Sequence, residues 1–108
     1  MKAPWLMGHD MGNSVSSAQF LFDSRLRDAA HGNPDALFDL GVCYQTGTSG
    51  CTVDLIEAHK WFNLAMVAGV SQAQDARAEV AEDMTAREIS TAQAAARAWL
   101  ASTRARAA

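Results

Sequence analysis

Two cysteines and three histidines are the residues of this chain whose types and spacing could do chemistry. Cys43, Cys51 and His59 follow one another at steps of eight residues, and thiolates with imidazoles are ligands that zinc prefers. Structural zinc sites usually bring their ligands in pairs about two to four residues apart, and the sequence has no such pair. We therefore expect no metal, and the three residues remain a distant alternative as a metal- or thiol-dependent site.

A cysteine nucleophile beside a histidine base is the second chemistry that these residues could support. Cys43 lies on an apolar helical stripe, where burial keeps a thiol protonated and unreactive. We expect Cys43 to be a small buried side chain, Cys51 a loop thiol and His59 a half-exposed helix residue. No phosphate-binding loop, dinucleotide fingerprint or nucleophile elbow occurs. We therefore expect no catalytic residue, no cofactor and no enzymatic activity.

The segment that would position these residues reads as a helix, a turn and a second helix. Asn33 is a good N-cap and Pro34 suits the first helical position. Gly47 can adopt the left-handed conformation that often ends a helix. Asp54 is the N-cap candidate of the second helix. Because the linker between them is short, the two helices should be antiparallel neighbours.

Small residues interrupt the apolar stripes of both predicted helices. Gly41 within a helix costs roughly 1 kcal/mol relative to alanine, so close approach of the second helix is the expected compensation. Ala58 and Ala65 alternate with Trp61 and Phe62 on that second helix. Small side chains let two backbones approach while aromatic rings fill the flanking space. This pattern predicts that the two helices pack tightly against each other.

Residues 32–69 taken together resemble a repeat of the Sel-one-like family, which belongs with the tetratricopeptide-type α/α solenoids. The resemblance implies that the matching residues hold two helices together and are not catalytic. It also implies a scaffold or adaptor role. The matching positions are Gly32, Ala36, Leu40, Gly41, Tyr44, Gly47, Asp54, Ala58, Trp61, Phe62, Ala65 and Gly69.

Cysteine-rich members of that family carry disulfides with the same eight-residue step, but at the junction between repeats. Cys43 and Cys51 instead lie inside one repeat. The N-terminus has Lys2 but no long apolar segment typical of a secretory signal. We therefore favour free thiols and a cytoplasmic protein, and a Cys43–Cys51 disulfide is the alternative.

The flanking segments complete an all-α fold, a short antiparallel helix-turn-helix solenoid of about five helices. We expect residues 1–14 to form a flexible arm and residues 15–105 a single domain, in which capping helices stand on either side of the core repeat. Further helix starts are predicted at Ser14, where the helix runs to Ala30, at Ser71, and at Thr85 with Glu88 as a capping box.

Composition narrows the classes of partner. A net charge of −3 offers no electrostatic case for nucleic acid, whose phosphates demand clustered lysine and arginine. No apolar segment approaches the ~18 residues that cross a bilayer. Binding to an unidentified protein is therefore the function we expect.

The expected binding surface is the concave face of the stack, which the first helix of each pair lines. Phe38 is its apolar anchor, since aromatic residues are common interface hot spots. The candidate protein-binding residues are Phe38, Asp39, Val42 and Gln45, with Trp5 in the N-terminal arm. Two alternatives stay open: Phe38 packs against the Ser14–Ala30 helix, or the protein self-associates as a homodimer through its open repeat ends.

Overall fold

Five α-helices and their connections make up the part of the chain that the structure describes. The computed structural model describes the backbone of residues 3–107 and the side chains of residues 17–106. The helices are α1 (Ala3–Ala30), α2 (Pro34–Thr46), α3 (Leu55–Val67), α4 (Gln72–Ala81) and α5 (Ala86–Ala107). No strand occurs within residues 3–107, and the predicted all-α class is confirmed to that extent.

Helices α2 and α3 form a hairpin whose ends match the predicted caps. The Oδ1 atoms of Asn33 and Asp54 each accept a hydrogen bond from the backbone N–H three residues further on, at 3.1 and 3.2 Å. Gly47 ends α2 in the left-handed conformation, with φ 72° and ψ 36°, which costs glycine little. The N–H of Asp54 then donates to the carbonyl of Tyr44 at 2.9 Å. This bond ties the start of α3 to the end of α2.

The ring of Phe62 lies against the backbone at Gly41 in the hairpin. A Cβ atom placed on Gly41 would lie 2.9 Å from Cγ of Phe62 and closer still to two further ring atoms. Leu40, Ala58 and Phe62 are all fully buried at this interface. The missing side chain at position 41 therefore lets an aromatic ring lie directly on the α2 backbone.

Helix α3 is the central element of the fold, because it packs against α2, α4 and α5, while α1 packs against α2. Trp61 of α3 meets Trp99 of α5 edge to face, with ring centroids 4.8 Å apart. On the side towards α4, Ala58 and Phe62 pack with Val80. Aromatic pairs of this geometry add to the free energy gained by burial alone. Both sides of α3 are therefore covered.

The first helix differs from its prediction, since α1 begins at Ala3 rather than at Ser14. The backbone is helical over residues 3–14, where the sequence had suggested a flexible arm. Pro4 falls in the first turn of the helix, where its missing N–H removes no intrahelical bond. Gly8 and Gly12 lower helix propensity by only about 1 kcal/mol each. Neither residue type prevents the helix from extending towards the N-terminus.

Of the caps predicted for the last two helices, the one at α4 is wrong and the one at α5 is confirmed. Ser71 was expected to cap α4, but its backbone is helical, with φ −65° and ψ −36°, and its side chain makes no capping bond. A capping side chain requires an extended backbone at its own position. At α5 the capping box is confirmed, because Glu88 N–H donates to Oγ1 of Thr85 at 3.1 Å and Thr85 N–H donates to Glu88 at 2.8 Å.

None of the described helices combines the length and the apolar character that crossing a lipid bilayer requires.

We expect Gly41→Ala to destabilise the protein although alanine is the better helix former. Alanine would gain roughly 1 kcal/mol in helix propensity, but a crowded core commonly loses about 1–3 kcal/mol. The expected net loss in the free energy of unfolding is up to about 2 kcal/mol, measured by urea unfolding.

The matched test is the double variant Gly41→Ala with Phe62→Leu. Leucine leaves room for the added methyl group, so the combined loss should be smaller than the sum of the two single losses. Strict additivity would show that the two residues do not touch in solution.

Candidate functional site

Cys43 and Cys51 form a disulfide, which corrects the expectation of two free thiols. Their Cα atoms are 5.8 Å apart, and no free cysteine occurs in the chain. The linker brings them together by turning back on itself. Thr48 N–H donates to the carbonyl of Cys43 at 3.3 Å, and Cys51 N–H donates to the carbonyl of Thr48 at 3.0 Å. Ser49 and Gly50, both with positive φ, complete this turn.

The disulfide changes what this end of the hairpin can do. Sulfur atoms that are bonded to each other are neither thiolate ligands nor nucleophiles, so the thiol or metal site suggested by Cys43, Cys51 and His59 loses two of its three groups. Closing a loop of eight residues constrains the unfolded chain by about 2.5 kcal/mol in the chain-entropy model. Bonds of this kind form and persist in oxidising compartments and are rare in reducing ones.

His59 is buried rather than half-exposed, with a relative accessibility of 3%. Its Nδ1 atom has no hydrogen-bond partner. Burial lowers the pKa of the imidazole, and the nearby positive charge of Arg77 lowers that pKa further. The neutral ring is therefore the folded form, and helical periodicity alone did not reveal that α3 is covered on this side too. Among the residues that the structure describes, no cluster of three or more histidine, cysteine or acidic side chains could hold a metal ion.

Four of the five residues predicted for protein binding lie along α2, in two different settings. Val42 is half-buried against the Ala58–Phe62–Val80 cluster. The Gln45 amide donates to the carboxylate of Glu79 on α4 at 3.2 Å. These two residues therefore contribute to the packing of α2 against α4.

Phe38 and Asp39 lie towards the N-terminal end of α2 and line an open cavity. The Phe38 ring packs on Phe62 with centroids 5.4 Å apart. It is thus shared between the core and the cavity. A carboxylate oxygen of Asp39 lies 3.8 Å from Nε of Arg25. Trp5, the fifth predicted residue, lies outside the side chains that the structure describes.

The cavity beside Phe38 has a volume of about 360 Å³ and opens between α2 and the start of α4. Asp35, Val70 and Gln72 line it together with Phe38 and Asp39. Asp35 was identifiable from sequence, because it stands four residues before Asp39 and so shares its helical face. Val70 and Gln72 were not, since only the packing of α4 beside α2 brings them there. The site therefore combines two carboxylates, one amide and two apolar side chains, those of Phe38 and Val70.

No protein-family model, curated protein or solved structure matches this chain in comparisons with known proteins.

We expect the stability of the protein to fall as the pH drops below the normal pKa of histidine, near 6.5. The folded state lowers the pKa of His59, so below that pH the unfolded state binds a proton that the folded state resists. Stability is therefore full above the unfolded pKa and declines below it. The loss is about 1.4 kcal/mol for each unit by which folding lowers the pKa. Urea unfolding at about pH 7.5 and about pH 5 measures it.

His59→Gln should flatten this pH dependence, because glutamine does not titrate. The matched control is His31→Gln, which removes an exposed imidazole instead of the buried one. An unchanged slope in His59→Gln would mean that another group causes the acid sensitivity.

Proposed function

We propose that the chain is a protein-binding module of the Sel-like repeat type, which acts as an adaptor or scaffold and not as an enzyme. Helices α2 and α3 constitute one complete repeat in this proposal. Helix α1 on one side and the pair α4 and α5 on the other cap its ends, so that the five helices form a short α/α solenoid.

The packing roles of the repeat-like residues support this proposal. Leu40, Ala58, Phe62 and Ala65 each have a relative accessibility of 0%, and Gly41 receives the Phe62 ring. These residues hold the hairpin together and line none of the surface cavities described here. Packing between the two helices is therefore a sufficient role for these repeat-like residues, as the resemblance to the family implies.

The cavity between α2 and α4 is the feature of the structure that best supports a binding function. Two exposed carboxylates, Asp35 and Asp39, stand beside the half-buried ring of Phe38. The pair between Asp39 and Arg25 spans 3.8 Å and involves partly exposed side chains, so it contributes little and a competing cation can replace it. A segment of another protein that presents lysine or arginine next to an apolar side chain fits this arrangement.

We expect Asp35→Asn with Asp39→Asn to abolish capture of the partner from a lysate of the source organism. The substitutions keep the size of both side chains and remove two charges from the cavity. Affinity capture with the tagged protein, followed by quantitative mass spectrometry, measures which proteins are lost.

The matched control is Glu82→Gln with Asp83→Asn, which removes two exposed carboxylates at the other end of α4. Partners of the cavity should stay bound to this control. If both variants capture the same proteins as the original chain, the α2–α4 cavity is not the binding site.

Self-association is a second candidate function, because α1 exposes two large apolar side chains side by side. Phe20 is 66% and Leu21 46% exposed. Adjacent exposed apolar side chains are a common feature of protein–protein interaction sites. We expect a homodimer at micromolar concentration that Phe20→Glu converts to a monomer, as measured by sedimentation velocity. A monomer in the original protein would exclude this function.

A further inference from the structure

A cleft lies between the C-terminal halves of α1 and α5, and none of its lining residues lines the cavity described above. It consists of three adjoining cavities of about 520, 360 and 180 Å³ that share lining residues. Ala30 lines all three of them, and Trp99 lines two. The floor of the cleft is apolar and includes Leu26, Ala29, Ala30, Leu64, Trp99 and Leu100.

The rim of the cleft carries positive charge. Arg27, Arg104 and Arg106 line it, whereas Asp23 is the one carboxylate among the lining residues of the three cavities. Within residues 17–106, none of these three arginines forms a salt bridge. Nδ1 of His31, at the same rim, lies 2.9 Å from the carbonyl of Arg27 and donates to it.

Basic side chains near helix C-termini commonly offset the negative end of the helix dipole. Helices α1 and α5 both end beside this cleft, and each helix end carries roughly half a negative charge. About one positive charge offsets both ends. The carboxylate of Asp23 offsets one more. Arg27, Arg104 and Arg106 supply three, so a surplus of about one positive charge remains.

This surplus runs against the charge of the whole chain. The chain has a formal net charge of −3, yet α5 contains four arginines and a single acidic residue, Glu88. The charge is thus segregated between different parts of the surface. A local field of this sign attracts anionic groups even when the protein as a whole repels them.

We propose that the α1–α5 cleft binds an acidic peptide segment of another protein, with an apolar side chain inserted beside Trp99 and with carboxylates held by Arg104, Arg106 and Arg27. The smallest cavity, of about 180 Å³, matches one such side chain, since apolar cavities of ~150 Å³ accept a benzene-sized group. Guanidinium groups favour carboxylates because they can offer paired N–H donors.

This site goes beyond the binding cavity proposed above and does not depend on it. The cavity between α2 and α4 is acidic and suits a basic segment, whereas the α1–α5 cleft has the opposite charge. Either site can fail its test while the other stands.

The experiment measures binding of a synthetic peptide in which leucines are separated by pairs of glutamates. Trp99 lines the cleft and reports binding by its fluorescence, and Trp5→Phe removes the signal of the N-terminal tryptophan. We expect a saturable fluorescence change that weakens with added salt, since screening reduces attraction between exposed charges. A matched peptide with glutamine in place of glutamate should bind about tenfold more weakly, a difference of about 1.4 kcal/mol.

Two charge-neutralised variants locate the site. Arg104→Gln with Arg106→Gln should weaken binding of the acidic peptide about tenfold. Arg87→Gln with Arg97→Gln makes the same change in charge on the same helix but outside the cleft, and should leave binding unchanged. All four arginines are exposed, so circular dichroism should show an intact fold in both variants.

Three results would overturn the proposal. The first is the absence of saturable binding by the acidic peptide, and the second is an equal effect of the two variant pairs. The third is a different occupant that depends on Arg104 and Arg106. Vesicles of phosphatidylglycerol that bind where the peptide does not would indicate a lipid surface. Self-association lost on Arg104→Gln with Arg106→Gln, seen by sedimentation velocity, would indicate a second copy of the chain.

Discussion

The contact between the Phe62 ring and the backbone at Gly41 is the constraint on which the rest of the fold depends. Only glycine leaves space for a ring at that position of α2, and the ring is fully buried there. The same ring packs on Phe38 and contacts the cluster that includes Val80 of α4. One close approach therefore fixes α2 on α3 and places both beside α4. It also positions Phe38 at the edge of the α2–α4 cavity.

Interactions that span three or four residues were predictable, whereas those that need a distant partner were not. The caps at Asn33, Asp54 and Thr85 succeed because donor and acceptor lie three residues apart in the sequence. Ser71 fails because a residue type does not determine its own backbone conformation. The burial of His59 also escaped prediction, since it requires knowing that α3 is covered on nearly every side. The candidate site shows the same contrast. Phe38, Asp39 and Asp35 share one helical face and were identifiable from their spacing. Val70 and Gln72 were not, because only the packing of α4 brings them to the cavity.

The disulfide shows how far spacing alone can mislead. An eight-residue step between Cys43 and Cys51 is compatible with a bond, two free thiols or metal ligands, and the choice depends on the path of the linker. That path is set by Gly47, Ser49 and Gly50, all with positive φ. Residues other than glycine rarely adopt a positive φ, so a serine at position 49 gives no signal in the sequence that predicts this turn. The bond ties the last turn of α2 to the linker that leads into α3.

Charge is divided between two parts of the protein surface in a way that packing does not require. The exposed carboxylates Asp35 and Asp39 lie on α2, with Asp75 and Glu79 on α4, whereas the surplus arginines lie on α5 and at the end of α1. Helix α3 pairs its Lys60 with Glu57 at 3.1 Å. Because α3 packs against α2, α4 and α5, it connects the helices of the acidic cavity to one helix of the basic cleft. The two proposed sites share no lining residue, so under the two proposals segments of opposite charge would bind to different surfaces.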